Sequence, residues 1–159
     1  LNYSGSGIET TFTQGEDACL ASLVPAMPTA PSLLPRSLLV VGCLADVVED
    51  QFRRQFAALG IGAVDFLPPR RSGELPAVGP GTSFLLAQPF LADTARALEE
   101  RGAARLHAPF PIGVEGTTAW LRAAADAWGV DAARFEAVTA PGIERANRAL
   151  ERHRAQLEG

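Results

Sequence analysis

An α/β domain built on a parallel sheet is what this sequence predicts, and three observations carry that prediction. Short apolar runs closed by Gly or Pro recur along the chain: Leu38-Leu39-Val40-Val41-Gly42, Ala63 to Leu67, and Phe84-Leu85-Leu86-Ala87. Continuous runs of this length have the form of strands buried on both faces. Between them, apolar residues recur at three- and four-residue spacing, as in amphipathic helices. The connections are short, and strand–helix–strand units joined in this way wind right-handed. A Rossmann-like parallel sheet with helices on both faces results.

The elements follow in order. Gly5 and Gly7 open the chain with a loop that leaves main-chain amides unshielded. Thr13 and Glu16 have capping-box spacing, and Asp17 places negative charge in the first turn of the helix they start. Ala18, Leu20, Ala21 and Val24 form its apolar side, and Pro25 ends it. Pro28, Pro31 and Pro35 punctuate a connector, so residues 1–36 read as loop, helix and connector, and residues 37–159 as the domain.

After the first strand, Asp46 to Leu59 is a helix with Leu44, Val48, Phe52, Phe56 and Leu59 along one stripe. Glu49, Asp50, Arg53 and Arg54 are turned away from it, and Gly60 and Gly62 stop it. Pro68 to Thr82 is a Pro/Gly-rich loop. Leu91 to Glu100 is a helix burying Leu91, Ala95 and Leu98, and Arg105 to Ala108 is a brief fourth strand. Glu115 to Trp128 is a helix that buries Trp120, Leu121 and Ala124, with Trp128 at its edge. The last helix runs from Ile143 to Leu157, with Ile143, Ala146, Leu150 and Leu157 on one side.

Composition narrows the class of function. The 159 residues are 47% hydrophobic, enough for one core, and no apolar run approaches the roughly 20 residues that span a bilayer. The net charge of −4 argues against a general nucleic-acid or anionic-membrane surface. All 14 basic residues are Arg, a pattern that reads as codon bias, since no surface chemistry excludes Lys altogether. Cys19 and Cys43 make neither a disulfide framework nor a Cys-x-x-Cys pair, which fits a reducing bacterial cytoplasm. Leu1-Asn2-Tyr3 reads as the end of a strand, so the chain is expected to be a fragment.

Most motif tests return little. Gly5-Ser6-Gly7-Ile8-Glu9-Thr10 has two of the three dinucleotide-fingerprint glycines, Thr at the third, and no acidic residue near position 25. Its hydroxyls either cap the following helix or line a ligand site. Cys19, expected to pack on the first helix like a small hydrophobe, and Cys43, at a strand end, do not supply the four ligands an iron–sulfur cluster needs. There is no Gly-x-Ser-x-Gly elbow, and His107 and His153 read as structural or surface residues. Gly113 to Thr118 is a helix-start turn that either caps itself or faces an anion, and Glu115 argues against the anion. Arg70-Arg71 is either a solvated loop pair or a partner for carboxylates.

Longer blocks are more informative. Tyr3 to Leu23 is similar to the N subunits of the light-independent, dark-operative protochlorophyllide reductases, a nitrogenase-like family. The similarity continues through Val41 to Phe52, Leu86 to Thr94, and Ala108 to Leu121. The resemblance implies a longer subunit of several Rossmann-like domains, of which this is the central one. It implies an oxidoreductase pairing two N with two B subunits. A transient L protein, which hydrolyses ATP with Mg, delivers electrons for the two-electron reduction of ring D of protochlorophyllide to chlorophyllide.

In such enzymes a [4Fe-4S] cluster is held by three N-subunit cysteines and one B-subunit aspartate. Those cysteines belong to a segment before Leu1, so neither Cys19 nor Cys43 is implied as a ligand and the fragment alone is expected to be inactive. The stretch equivalent to the glycine-rich loop approaches the substrate cavity, which makes Tyr3, Ser4, Ser6, Thr10 and Gln14 its candidate lining. No catalytic residue is implied. A paralogous nitrogenase-like subunit, such as a chlorophyllide reductase subunit or cofactor-assembly scaffold, and a stand-alone small-ligand Rossmann domain also fit the residues.

Overall fold

A computed structural model of the chain describes residues 11–31 and 36–157, with side chains to residue 154. Its elements are α1 (Phe12–Leu23), a 3-10 turn (Val24–Ala26), β1 (Ser37–Val41), α2 (Asp46–Leu59), β2 (Val64–Leu67) and β3 (Thr82–Leu86). There follow α3 (Ala92–Glu100), β4 (Ala104–Arg105), α4 (Gly113–Ala127) and α5 (Ala132–Leu157). The strands form one parallel sheet in the order β2-β1-β3-β4.

That order explains which helix covers which face. From β1 the chain crosses through α2 to β2 on one side; from β3 it crosses through α3 to β4 on the other. Two right-handed crossovers running in opposite directions place their helices on opposite faces. Leu38, Val40, Phe66 and Leu85 point to one face and pack with Phe52 and Phe56 of α2, Trp120 and Leu121 of α4, and Phe135 of α5. Leu39, Val41, Phe84 and Leu86 point to the other and pack with Leu20 of α1, with Leu91 just before α3, and with Ala95 and Leu98 of α3. The strand period of two thus splits one apolar run between two cores.

Trp120 anchors the first core. It is fully buried, with ring centroids 4.7 Å from Phe52 and 5.6 Å from Phe56. Its indole N–H donates to the carbonyl of Leu86 at 2.8 Å, so its one polar atom is satisfied inside the core.

Several local expectations are corrected. The capping box is Thr11 with Gln14, two residues earlier than Thr13 with Glu16. Thr11, Thr13 and Gln14 compete for the same helix start, and the earlier pair wins because α1 begins at Phe12. Glu49 is not turned to solvent: it is 4% exposed, beneath Arg70, whose Nε donates to it at 2.6 Å. Arg70 also reaches Asp50 at 2.6 Å and the carbonyl of Asp46, so that loop cation is committed within the chain and its pKa is raised by those carboxylates. Arg53 lies over the Phe66 ring and donates to the Val64 carbonyl. Cys19 is exposed instead of packed.

Farther along, β4 is only Ala104–Arg105, which leaves His107 outside it and exposed. α4 starts at Gly113 without a side-chain cap, and Thr118 instead bonds back to the Val114 carbonyl. α5 begins at Ala132 and not at Ile143. Asp131 accepts from the Arg134 amide there, and the helix continues through Pro141 because Phe135 and Thr139 already bury its first turns.

Candidate functional site at the topological switch point

Two crossovers that diverge from neighbouring strands leave a crevice at the strands' carboxyl ends, where α/β sheets bind ligands. Here it lies between β1 and β3 and is built from Gly42 and Cys43 on one side and Ala87 and Gln88 on the other. Gly42 has φ of 148°, and a Cβ there would sit 3.0 Å from Gln88 Oε1 and 3.3 Å from Ala87 Cβ. Only glycine allows both that backbone angle and that approach.

The approach is used. The Cys43 amide donates to Gln88 Oε1 at 2.7 Å, and Gln88 Nε2 donates to Glu16 Oε2 at 2.6 Å. Glu16 arrives from α1, so this helix closes one end of the crevice. Partial burial, and then the hydrogen bond to Glu16, push the Cys43 thiol up to about 12. It is therefore a protonated donor at neutral pH and not a thiolate nucleophile.

Asp17 explains why α1 sits there. It is 7% exposed, and its Oδ2 accepts from the Asp93 amide at 2.9 Å. Its Oδ1 accepts from the Thr94 amide at 2.8 Å and from Thr94 Oγ1 at 2.7 Å. A carboxylate of α1 thus caps the N-terminus of α3, which has no cap of its own. A charge is well placed at that end of a helix dipole and satisfies two orphan amides. The sequence reading gave Asp17 to the first turn of its own helix, which contains no acidic residue.

Exposed apolar side chains occur on the segments next to the strand ends and at the start of α1. Of the five large hydrophobic side chains that are exposed among the described residues, four are Phe12, Val47, Phe90 and Ile112. Val47 follows β1, Phe90 follows β3, Ile112 precedes α4 on the segment leaving β4, and Phe12 begins α1. Phe90 is held at φ of 67°, a strained angle for a non-glycine residue. Apolar groups around a few fixed hydrogen-bonding ones suit a largely apolar ligand with polar substituents.

No group of three or more His, Cys, Asp or Glu that could hold a metal ion occurs among the described residues. The donor set at this site does not fit an iron–sulfur cluster. Of the candidate cavity residues, Tyr3, Ser4, Ser6 and Thr10 lie outside the described residues. Gln14 is exposed, and its Oε1 accepts the Thr11 amide at 2.8 Å. Asp17, Gln88 and Gly42 are not among the candidate cavity residues; Gly42-Cys43 and Gln88-Pro89 do stand at strand carboxyl ends, where the sequence places ligand sites, whereas nothing local marks Asp17.

The family model for nitrogenase component 1 type oxidoreductases matches residues 2–159. The chain belongs to that family. Among curated proteins of this oxidoreductase family, it is 71% identical over all its 159 residues to light-independent protochlorophyllide reductase subunit N of Rhodopseudomonas palustris strain TIE-1. It is 72% identical over the same length to the subunit of that name from Bradyrhizobium sp. strain BTAi1. The chain spans 37% of the length of each of these relatives. The nitrogenase component 1 assignment agrees with the α/β architecture and its parallel sheet, and implies iron–sulfur chemistry in the whole oxidoreductase. No described helix is long and apolar enough to cross a membrane.

Proposed function

We propose that this chain is a part of the N subunit of a light-independent protochlorophyllide reductase, and that its switch-point crevice faces the chamber in which the pigment is reduced. The observation that carries the reading is the 71% identity to a curated N subunit over all 159 residues. In the whole enzyme, N and B subunits form a heterotetramer and share a [4Fe-4S] cluster held outside these residues. The L protein supplies electrons with ATP hydrolysis, and ring D of protochlorophyllide gains two electrons and two protons to give chlorophyllide.

The part assigned to this chain is binding and positioning. Phe12, Phe90 and Ile112 offer apolar surface to a flat macrocycle, and the hydrogen-bonded set of Glu16, Gln88 and the Cys43 amide fixes the wall behind it. Asp17 holds α1 against the N-terminus of α3. Tyr3, Ser4, Ser6, Thr10 and Gln14 remain the proposed lining of the substrate cavity, and of these Gln14 holds the start of α1 through the Thr11 amide. Excluding water and holding the ring in one orientation are what a protein contributes when the redox chemistry belongs to a cofactor.

The test is anaerobic reconstitution of the full-length protein with its B partner, with and without L protein, ATP and reductant, following pigment absorbance. Conversion to chlorophyllide only in the complete mixture is expected. A cluster-loaded complex that leaves protochlorophyllide unchanged overturns the reading and favours a paralogous nitrogenase-like subunit.

A further inference from the structure

A second concave surface lies between α4 and α5. It is a groove of about 450 Å³, lined mainly by apolar groups including Val114, Leu121, Ile143, Ala146 and Leu150. Gln55 of α2 also lines it, and the Gln55 Oε1 atom is buried with no hydrogen-bond partner. The neighbouring hydroxyls do not supply one. Thr118 Oγ1 donates to Val114 O at 2.7 Å and Thr139 Oγ1 to Phe135 O at 2.9 Å. Buried acceptors in folded proteins are paired almost without exception, so this one points to a donor that arrives from elsewhere.

The helix beside it gives the same indication. Up to Thr139, α5 buries side chains against α2 and α4. Beyond Pro141, Ile143, Ala146, Ala149 and Leu150 form an apolar stripe of which none is buried, and Leu150 is 62% exposed. A helical segment of this length draws its stability from packing of such a stripe, not from propensity. The curated relatives offer what would cover it, because this chain spans only 37% of their length. Most of such a subunit lies outside these residues.

We infer that the α4–α5 groove is the seat of a further segment of the same subunit, which lays apolar side chains along Ile143, Ala146 and Leu150 and gives one N–H or O–H to Gln55 Oε1. Arg145 at the groove's edge favours a carboxylate at the margin of that segment. A segment of the same polypeptide is present at high effective concentration as the chain folds, before any partner subunit is met. The inference rests on the relatives' length and not on the reaction, so its outcome is independent of whether the pigment is turned over.

Site-specific photocrosslinking in the full-length subunit, purified without its partner, tests it. Leu150 is replaced by p-benzoylphenylalanine, with the same probe at Glu144 on the opposite face as control. Intramolecular crosslinks from position 150, and not 144, to peptides outside these 159 residues are the expected result. Crosslinks to the partner subunit alone, to a second copy, or to nothing overturn the inference. Hydrogen exchange on the unsubstituted subunit guards against a misfolded variant: residues 143–154 should be protected at least ~100-fold over the unstructured rate without partner. Protection that appears only on adding the partner overturns it equally.

Discussion

Asp17 and Gln55 are both polar side chains carried into a helix packing surface, and they end in opposite states. Asp17 reaches α3 from α1 and has both carboxylate oxygens occupied. Gln55 reaches the α4–α5 groove and leaves its oxygen empty. The first region is closed by residues of this chain, and the second still lacks a wall. The difference teaches how a piece of a longer fold can be read. Where buried polar groups are satisfied the packing is closed by the residues present, and an orphaned acceptor beside an open apolar stripe is where the inferred segment would seat.

Three experiments in the full-length subunit can break or sharpen that comparison. Asp17→Ala strands the Asp93 and Thr94 amides inside a packed helix interface and leaves the Thr94 hydroxyl only the main-chain carbonyl of residue 17, so chemical denaturation should show a loss of about 3 kcal/mol. Asp17→Asn should lose less, since its remaining carbonyl keeps one of the bonds. An Asp17→Ala protein as stable as its parent would mean that water replaces the carboxylate and that the region is not closed.

Leu150→Ala is the counterpart on the open side. If a segment of the subunit fills the groove, the substitution removes buried methyl groups and should lower unfolding stability by about 2 kcal/mol. If the surface stays open as it is here, the change should fall within roughly 0.5 kcal/mol.

The smallest effect concerns Cys43, at the crevice. Its pKa is raised from 9.0 to about 12, so the protonated thiol is favoured in the fold. That preference is present below about pH 9 and is lost as pH rises toward the higher value. Iodoacetamide at about pH 9 should alkylate Cys43 at least ~10-fold more slowly than a free thiol, and Glu16→Gln should recover part of the rate. Alkylation at the free-thiol rate would show that the Glu16–Gln88–Cys43 set is not held together.

The sequence made the sheet legible because burial on both faces writes strands as continuous apolar runs. The α2 limits, Asp46 and Leu59, were read correctly from the same stripe and its terminal glycine. Long-range polar pairings were not legible. Glu49 looks like one of four solvent-facing charges on α2, and only the fold brings Arg70 across from 21 residues away. Asp17 has an obvious local use in its own helix, yet its partners lie 76 and 77 residues on. The α5 start was hidden by Pro141, which breaks helices by propensity but is outweighed here by Phe135 and Thr139 in the core. Strand ends point to the site because topology puts ligands there, whereas the side chains that close the crevice come from an element outside the sheet.

The most direct test of the switch-point crevice as the reaction-facing surface is single-turnover pigment reduction by the reconstituted complex carrying Gln88→Ala. That change frees Glu16 from the Cys43 backbone without entering either core. A misplaced wall should lower the rate about 10-fold or more while cluster content, assembly and unfolding stability stay near those of the parent. An unaltered rate in a protein shown to have lost the Glu16–Gln88–Cys43 contacts would contradict the account and place the chamber on another surface of the domain.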